Sequence, residues 1–139
     1  MIAYFDTSAI VPLLVQEAGS EQANLLWNEA DRVAAIRLVY AEGRAALAMA
    51  ARLGRLDKNE LRLAVADLDQ LYQQLDLIEV SDTLVRRAGV LAEDYSLRGY
   101  DAMHLAAAEV LKDESLVLVA GDEPLCKAAE ILGLAVAHI

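Results

Sequence analysis

Ile2-Ala3-Tyr4-Phe5-Asp6-Thr7-Ser8-Ala9-Ile10-Val11 is the stretch on which the reading of this chain turns. Four apolar residues of strand length run into a carboxylate, two hydroxyls and a helix-compatible segment. A continuous apolar run suits a strand covered on both faces, the central strand of a parallel sheet. Asp6 then falls at the carboxyl end of that strand, where open α/β sheets place their ligand crevices. The alternative is that Asp6 or Ser8 only caps the next helix. The same arrangement returns at Leu116-Val117-Leu118-Val119-Ala120-Gly121-Asp122, a buried-type strand with an aspartate behind it and Pro124 in the first helical turn.

Between these two points the chain alternates strand and helix signals. Ala18–Ala30 carries Ala23, Leu26, Trp27 and Ala30 on one side, and Val33–Ile36 is a short apolar run. Leu38–Leu53 reads as a helix closed by Gly54, and Asp57 opens another, striped by Leu61, Val65, Leu68, Tyr72 and Leu75. Leu77–Val80 is a strand candidate, and Ser81-Asp82 caps a helix carrying Leu84, Ala88, Leu91 and Tyr95. Ala102–Lys112 is helical, and Leu134–Val136 forms a last strand. No repeat, linker or low-complexity segment interrupts the pattern. The expectation is one α/β domain over 1–139 with three layers, a mostly parallel sheet of about five strands flanked by helices.

Composition narrows the function. At 57 % hydrophobic residues the 139-residue chain can bury a core, and its apolar runs are too short for a membrane span. A single cysteine, Cys126, forms no internal disulfide and suits a reducing cytoplasm. Twelve Lys and Arg against 22 Asp and Glu give a net charge of −10, so nucleic-acid binding would need a local basic patch. Arg37, Arg44, Arg52, Arg55, Lys58 and Arg62 could supply one around the Gly54 turn; the alternative is a solvated helical hairpin.

Four carboxylates stand apart. Asp6 and Asp122 each follow a strand and precede a helix, and Asp101 heads an almost wholly apolar helix containing His104. Glu42 has Leu38, Ala45, Ala46 and Met49 around it at helical spacing, and a charge in an apolar stripe needs a partner or a cation. Each alone is read equally well as a cap or a paired side chain. Together, acids converging on one sheet edge repel one another, and a hard divalent ion relieves that repulsion. Such an ion polarises a phosphoryl oxygen and activates water. Nucleophilic catalysis has less support: Cys126 has no evident histidine partner, and His104 reads as a core histidine or as support for Asp101.

Four motifs then resemble the PIN-domain ribonucleases, specifically the VapC toxins of toxin–antitoxin pairs. They are Tyr4-Phe5-Asp6-Thr7-Ser8-Ala9, Leu38-Val39-Tyr40-Ala41-Glu42 with Arg44, Leu97–Ala106 around Arg98-Gly99-Tyr100-Asp101, and Leu118–Leu125 around Asp122. The resemblance implies a Mg²⁺- or Mn²⁺-dependent endonuclease acting on single-stranded or looped RNA. Asp6 and Asp101 would be the principal metal ligands, Glu42 and Asp122 would complete the acidic site, and Ser8 would support it through its hydroxyl. It also implies a homodimer and a VapB-like antitoxin whose C-terminal segment lies beside the site. Trp27 with Leu13, Leu14 and Leu26 is one candidate lining, although core packing is the expected role for Trp27. The chain departs from the family at Ala120, where Thr or Ser is usual, and so lacks that hydroxyl.

Two rivals remain. A haloacid-dehalogenase-type phosphatase also opens with strand then aspartate, but needs a second aspartate where Ser8 stands. A binding module that keeps the fold without activity is the other.

Overall fold

The computed structural model describes residues 1–113 and 115–139. The apolar run after Met1 forms β1 (Ile2–Phe5), followed by α1 (Thr7–Leu14), α2 (Ser20–Glu29), β2 (Arg32–Ile36), α3 (Val39–Arg52) and α4 (Lys58–Gln74). The second half runs β3 (Asp76–Ile78), α5 (Asp82–Tyr95), α6 (Gly99–Val110), β4 (Leu116–Ala120), α7 (Glu123–Ile131) and β5 (Ala135–His138). The strands lie in the order β3-β2-β1-β4-β5, and all four pairings are parallel. β1 is therefore central, with Tyr4 in register with Ala34 on one side and Leu118 on the other.

Alternation along β1 divides the interior in two. Ala3 and Phe5 join a core with residues of α1–α4, while Tyr4 joins the opposite core with residues of α5, α6 and α7. The result is three layers, helices on both faces of a parallel sheet. Trp27 stands edge-on to Phe5, with ring centroids 5.6 Å apart, and packs partly buried at the rim of the first core.

Local signals set the element ends. Ser81 caps α5 by accepting from the Leu84 N–H, and Asp57 and Glu60 form a reciprocal capping box at α4. Gly54 ends α3 with φ +79°, a left-handed conformation that favours glycine. α6 begins at Gly99, so Asp101 lies within its first turn and not ahead of it; β5 begins one residue after the expected start. No helix among the described residues is long and apolar enough to cross a membrane.

The chain order leaves β1 by the β2 side and later returns on the β4 side. That reversal opens a crevice at the carboxyl ends of β1 and β4, the place where such sheets bind ligands. Asp6 ends β1 and Asp122 follows β4.

Candidate acidic active site

Asp6 is 3 % exposed, the most deeply buried carboxylate of the four. Its Oδ1 accepts from the Ala9 N–H at 3.1 Å, capping α1, and from the Ser8 hydroxyl at 2.6 Å. Ser8 Oγ in turn accepts from the Gly121 N–H at 2.8 Å, which ties the β1 and β4 ends together. Ser8 thus brings a hydroxyl to the loop beside Ala120. Burial pushes the Asp6 carboxyl up to about 6, with Asp122 adding to the rise and His104, Ser8 and Ala9 opposing it.

Asp122 caps α7 through Oδ1, which accepts from the Leu125 N–H at 3.0 Å. The cap reading thus holds for Asp6 and Asp122, and in each the cap uses only one of the two carboxylate oxygens. Asp101 does not cap α6. Its Oδ2 accepts from Arg98 Nε at 2.9 Å, and the same guanidinium donates from Nη2 to Asp122 Oδ2 at 3.3 Å. Arg98 is the cation that holds these two acids together; the sequence marks it only as part of the Arg98-Gly99-Tyr100-Asp101 motif and gives no sign of this bridging role.

Glu42 corrects a sequence expectation. The buried face of α3 is Val39, Gly43, Leu47 and Ala50, whereas Ala45 and Met49 are exposed. Glu42 therefore flanks the core stripe instead of interrupting it. Its Oε1 accepts from the Thr7 hydroxyl at 3.0 Å and lies 2.8 Å from His104 Nε2. The charge is met by hydrogen bonds, as burial requires.

The basic track is partly spoken for. Arg37 pairs with Glu79 and donates to the Tyr72 hydroxyl, and Arg55 pairs with Glu17. Arg44 lies over the Tyr40 ring, 5.8 Å from its centroid, while Arg52, Lys58 and Arg62 remain exposed. Cys126 is fully buried and its thiol is pushed up to about 12, first by burial, so it offers no thiolate nucleophile.

A cavity of about 630 Å³ adjoins the acids, lined by Glu42, Arg98 and Asp101 and by the apolar Val85, Ala92 and Met103. Among the described residues no three Asp, Glu, His or Cys side chains lie close enough to enclose a metal ion as they stand. The donor set nevertheless suits a hard cation. It is all oxygen, it includes a carboxylate whose burial penalises its charge, and a guanidinium already sits between two members. Mg²⁺ in particular is held by one or two carboxylates with waters and substrate phosphates, not by all-protein cages.

A sheet of this order with acids at its switch point defines a class, and the comparisons agree: the chain belongs to the PIN-domain family, whose model matches residues 3–131. Within it the chain falls in the VapC group. It is 41 % identical over 136 residues to the ribonuclease VapC45 of Mycobacterium tuberculosis, covering 98 % of this chain and 94 % of that one. Among solved structures, the Sarcin-Ricin loop cleaving toxin VapC20 of M. tuberculosis superposes with a TM-score of 0.73 at 18 % identity, covering 99 % of both chains. VapBC2 of Rickettsia felis, bound to a DNA fragment from its promoter, gives 0.66 at 17 % identity, covering 100 % of this chain and 99 % of that one.

Proposed function

We propose that this protein is a metal-dependent endoribonuclease, the toxin half of a VapBC-like pair, acting in the cytoplasm. The observation that carries the reading is the meeting of Asp101 and Asp122 on one guanidinium, beside a buried Asp6 joined by Ser8 to the same loop. Asp6 and Asp101 are the proposed ligands of Mg²⁺ or Mn²⁺, and Glu42 and Asp122 the remaining acids of the site. A bound divalent ion supplies charge neutralisation at the scissile phosphate and a more acidic water.

The chain's own residues do the rest. Asp6 and Glu42 each commit one oxygen to internal hydrogen bonds, which fix the carboxylate and leave the second oxygen for ligand or water, whereas Asp122 gives one oxygen to the α7 cap and the other to Arg98. Ser8 holds Asp6 against the β4 loop. Arg98, 81 % exposed at its side chain, is free to turn from the acids to a phosphate oxygen once a cation takes its place. Arg52, Lys58 and Arg62 on the α3–α4 hairpin give the RNA backbone a local positive surface within an acidic protein.

The cavity beside the acids is apolar along α5 and the start of α6 and acidic at Glu42 and Asp101. It suits an antitoxin segment with apolar residues and a basic side chain. We assign the protein as a homodimer, following the family resemblance.

Incubation with structured RNA and Mg²⁺, with and without EDTA, tests the reading. Internal cuts that need the metal and vanish in Asp6→Asn and Asp101→Asn are expected. Release of phosphate from a small ester instead would indicate a phosphatase, and inertness in both assays a binding module.

A further inference from the structure

We infer that His104, held by Tyr4, is a positioning residue that clamps Oε1 of Glu42 and so reserves Oε2 for the cleft. The idea rests on the proposed role of Glu42 in the acid site, but its geometry does not. His104 is 2 % exposed on a helix whose residues 102–108 are all buried, and Tyr4 is fully buried in the central strand. An imidazole there must satisfy both nitrogens inside the protein.

The donors can be ordered. The Ile36 N–H donates to Tyr4 Oη at 3.2 Å, and His104 Nδ1 lies 2.9 Å from that same oxygen. If Nδ1 carried the proton, Tyr4 would accept twice and its own hydroxyl hydrogen would be stranded in the core, at the cost of an unmet buried donor. Tyr4 therefore donates to Nδ1. The imidazole proton falls to Nε2, which donates to Glu42 Oε1 at 2.8 Å. Thr7 donates to the same oxygen at 3.0 Å. Among the described residues no protein donor meets Oε2, and Glu42 lines the cavity that also reaches Asp101.

A relay from the Ile36 amide through Tyr4 and His104 thus anchors Glu42 to the β1–β2 core, across the sheet from the helix that bears it. A histidine that merely filled the core would need Tyr4 and any second acceptor; this one meets an acid of the site. Supporting groups of this kind affect metal affinity or activity by about 10–100-fold.

Two measurements test it. In the metal-free full chain labelled with ¹⁵N-histidine, long-range ¹H–¹⁵N spectra should show His104 as the Nε2–H tautomer; the Nδ1–H tautomer would overturn the clamp. Mn²⁺ titration then compares variants of similar polarity. His104→Gln keeps an N–H donor at the reach of Nε2 and should bind Mn²⁺ within about threefold of wild type. His104→Asn is too short to reach Glu42 and should bind about 10–100-fold more weakly. Equal binding by a folded His104→Asn would overturn the inference while sparing the nuclease reading, whereas no Mn²⁺ binding by wild type would overturn the nuclease reading itself. Should His104→Asn fail to fold, the tautomer decides without any variant.

Discussion

Asp6→Asn should stabilise the metal-free protein at neutral pH and remove one component of its pH dependence. Asp6 is 3 % exposed, and burial raises its carboxyl from an ordinary 3.8 to about 6. A difference of about two units corresponds to about 3 kcal/mol between the protonation states. The sign follows from the raised folded value: the folded state holds the proton more tightly than the unfolded chain does. The contribution to stability is complete below the unfolded value near 3.8 and is lost as pH rises through about 6. Asparagine keeps an oxygen for the Ser8 hydroxyl and the Ala9 N–H, so the cap on α1 survives. Urea unfolding in EDTA should therefore find Asp6→Asn more stable than wild type by up to about 3 kcal/mol near pH 7.5, shrinking to about 1 kcal/mol near pH 4.5. Any cost of the new amide N–H lowers both values alike, so the change of about 2 kcal/mol between the two pH values is the quantity to read. An unchanged gap across that range would refute the burial argument. Added Mg²⁺ should narrow the gap at the higher pH by stabilising wild type alone.

Further outcomes follow from the same geometry. Asp101→Ala should weaken Mn²⁺ binding in calorimetric titration by about tenfold or more without lowering the melting temperature, because it removes one of several like charges. Arg98→Ala should tighten Mn²⁺ binding, since no guanidinium then competes for Asp101 and Asp122, and should slow RNA cleavage in the same preparation. Leu118→Ala, at a fully buried position of β4 beside Tyr4, should cost about 2–5 kcal/mol in urea unfolding. Cys126 should react with a thiol reagent only at the rate of unfolding, being wholly buried with its thiol pushed up to about 12.

The parts legible in the sequence were those set by local chemistry. The unbroken apolar runs before Asp6 and Asp122 mark strands covered on both faces, and β1 and β4 are adjacent at the centre of an all-parallel sheet. Ser81, Asp57 and Gly54 announce their helix ends, and each does so in the structure. What periodicity could not give was which of two apolar faces of α3 turns inward: Ala45 and Met49 match the spacing as well as Gly43 and Leu47 do, and only packing of α3 against α4 chooses. Gly43 marks that choice, for a Cβ there would come within 3.1 Å of Leu68. Ion pairing was equally hidden. Arg37 and Arg55 look free in the chain, and their partners Glu79 and Glu17 lie 42 and 38 residues away. Arg98 and Thr7 touch the acids only because α6, α1 and α7 begin at one end of the sheet.

Anomalous diffraction from a crystal of the protein soaked in Mn²⁺ tests the acid site most directly. A peak between the Asp6 and Asp101 carboxylates is expected, with the Arg98 guanidinium drawn off Asp101. An intact Arg98 bridge with no peak beside it, at a Mn²⁺ concentration that supports RNA cleavage, would contradict the assignment of these acids as the metal site.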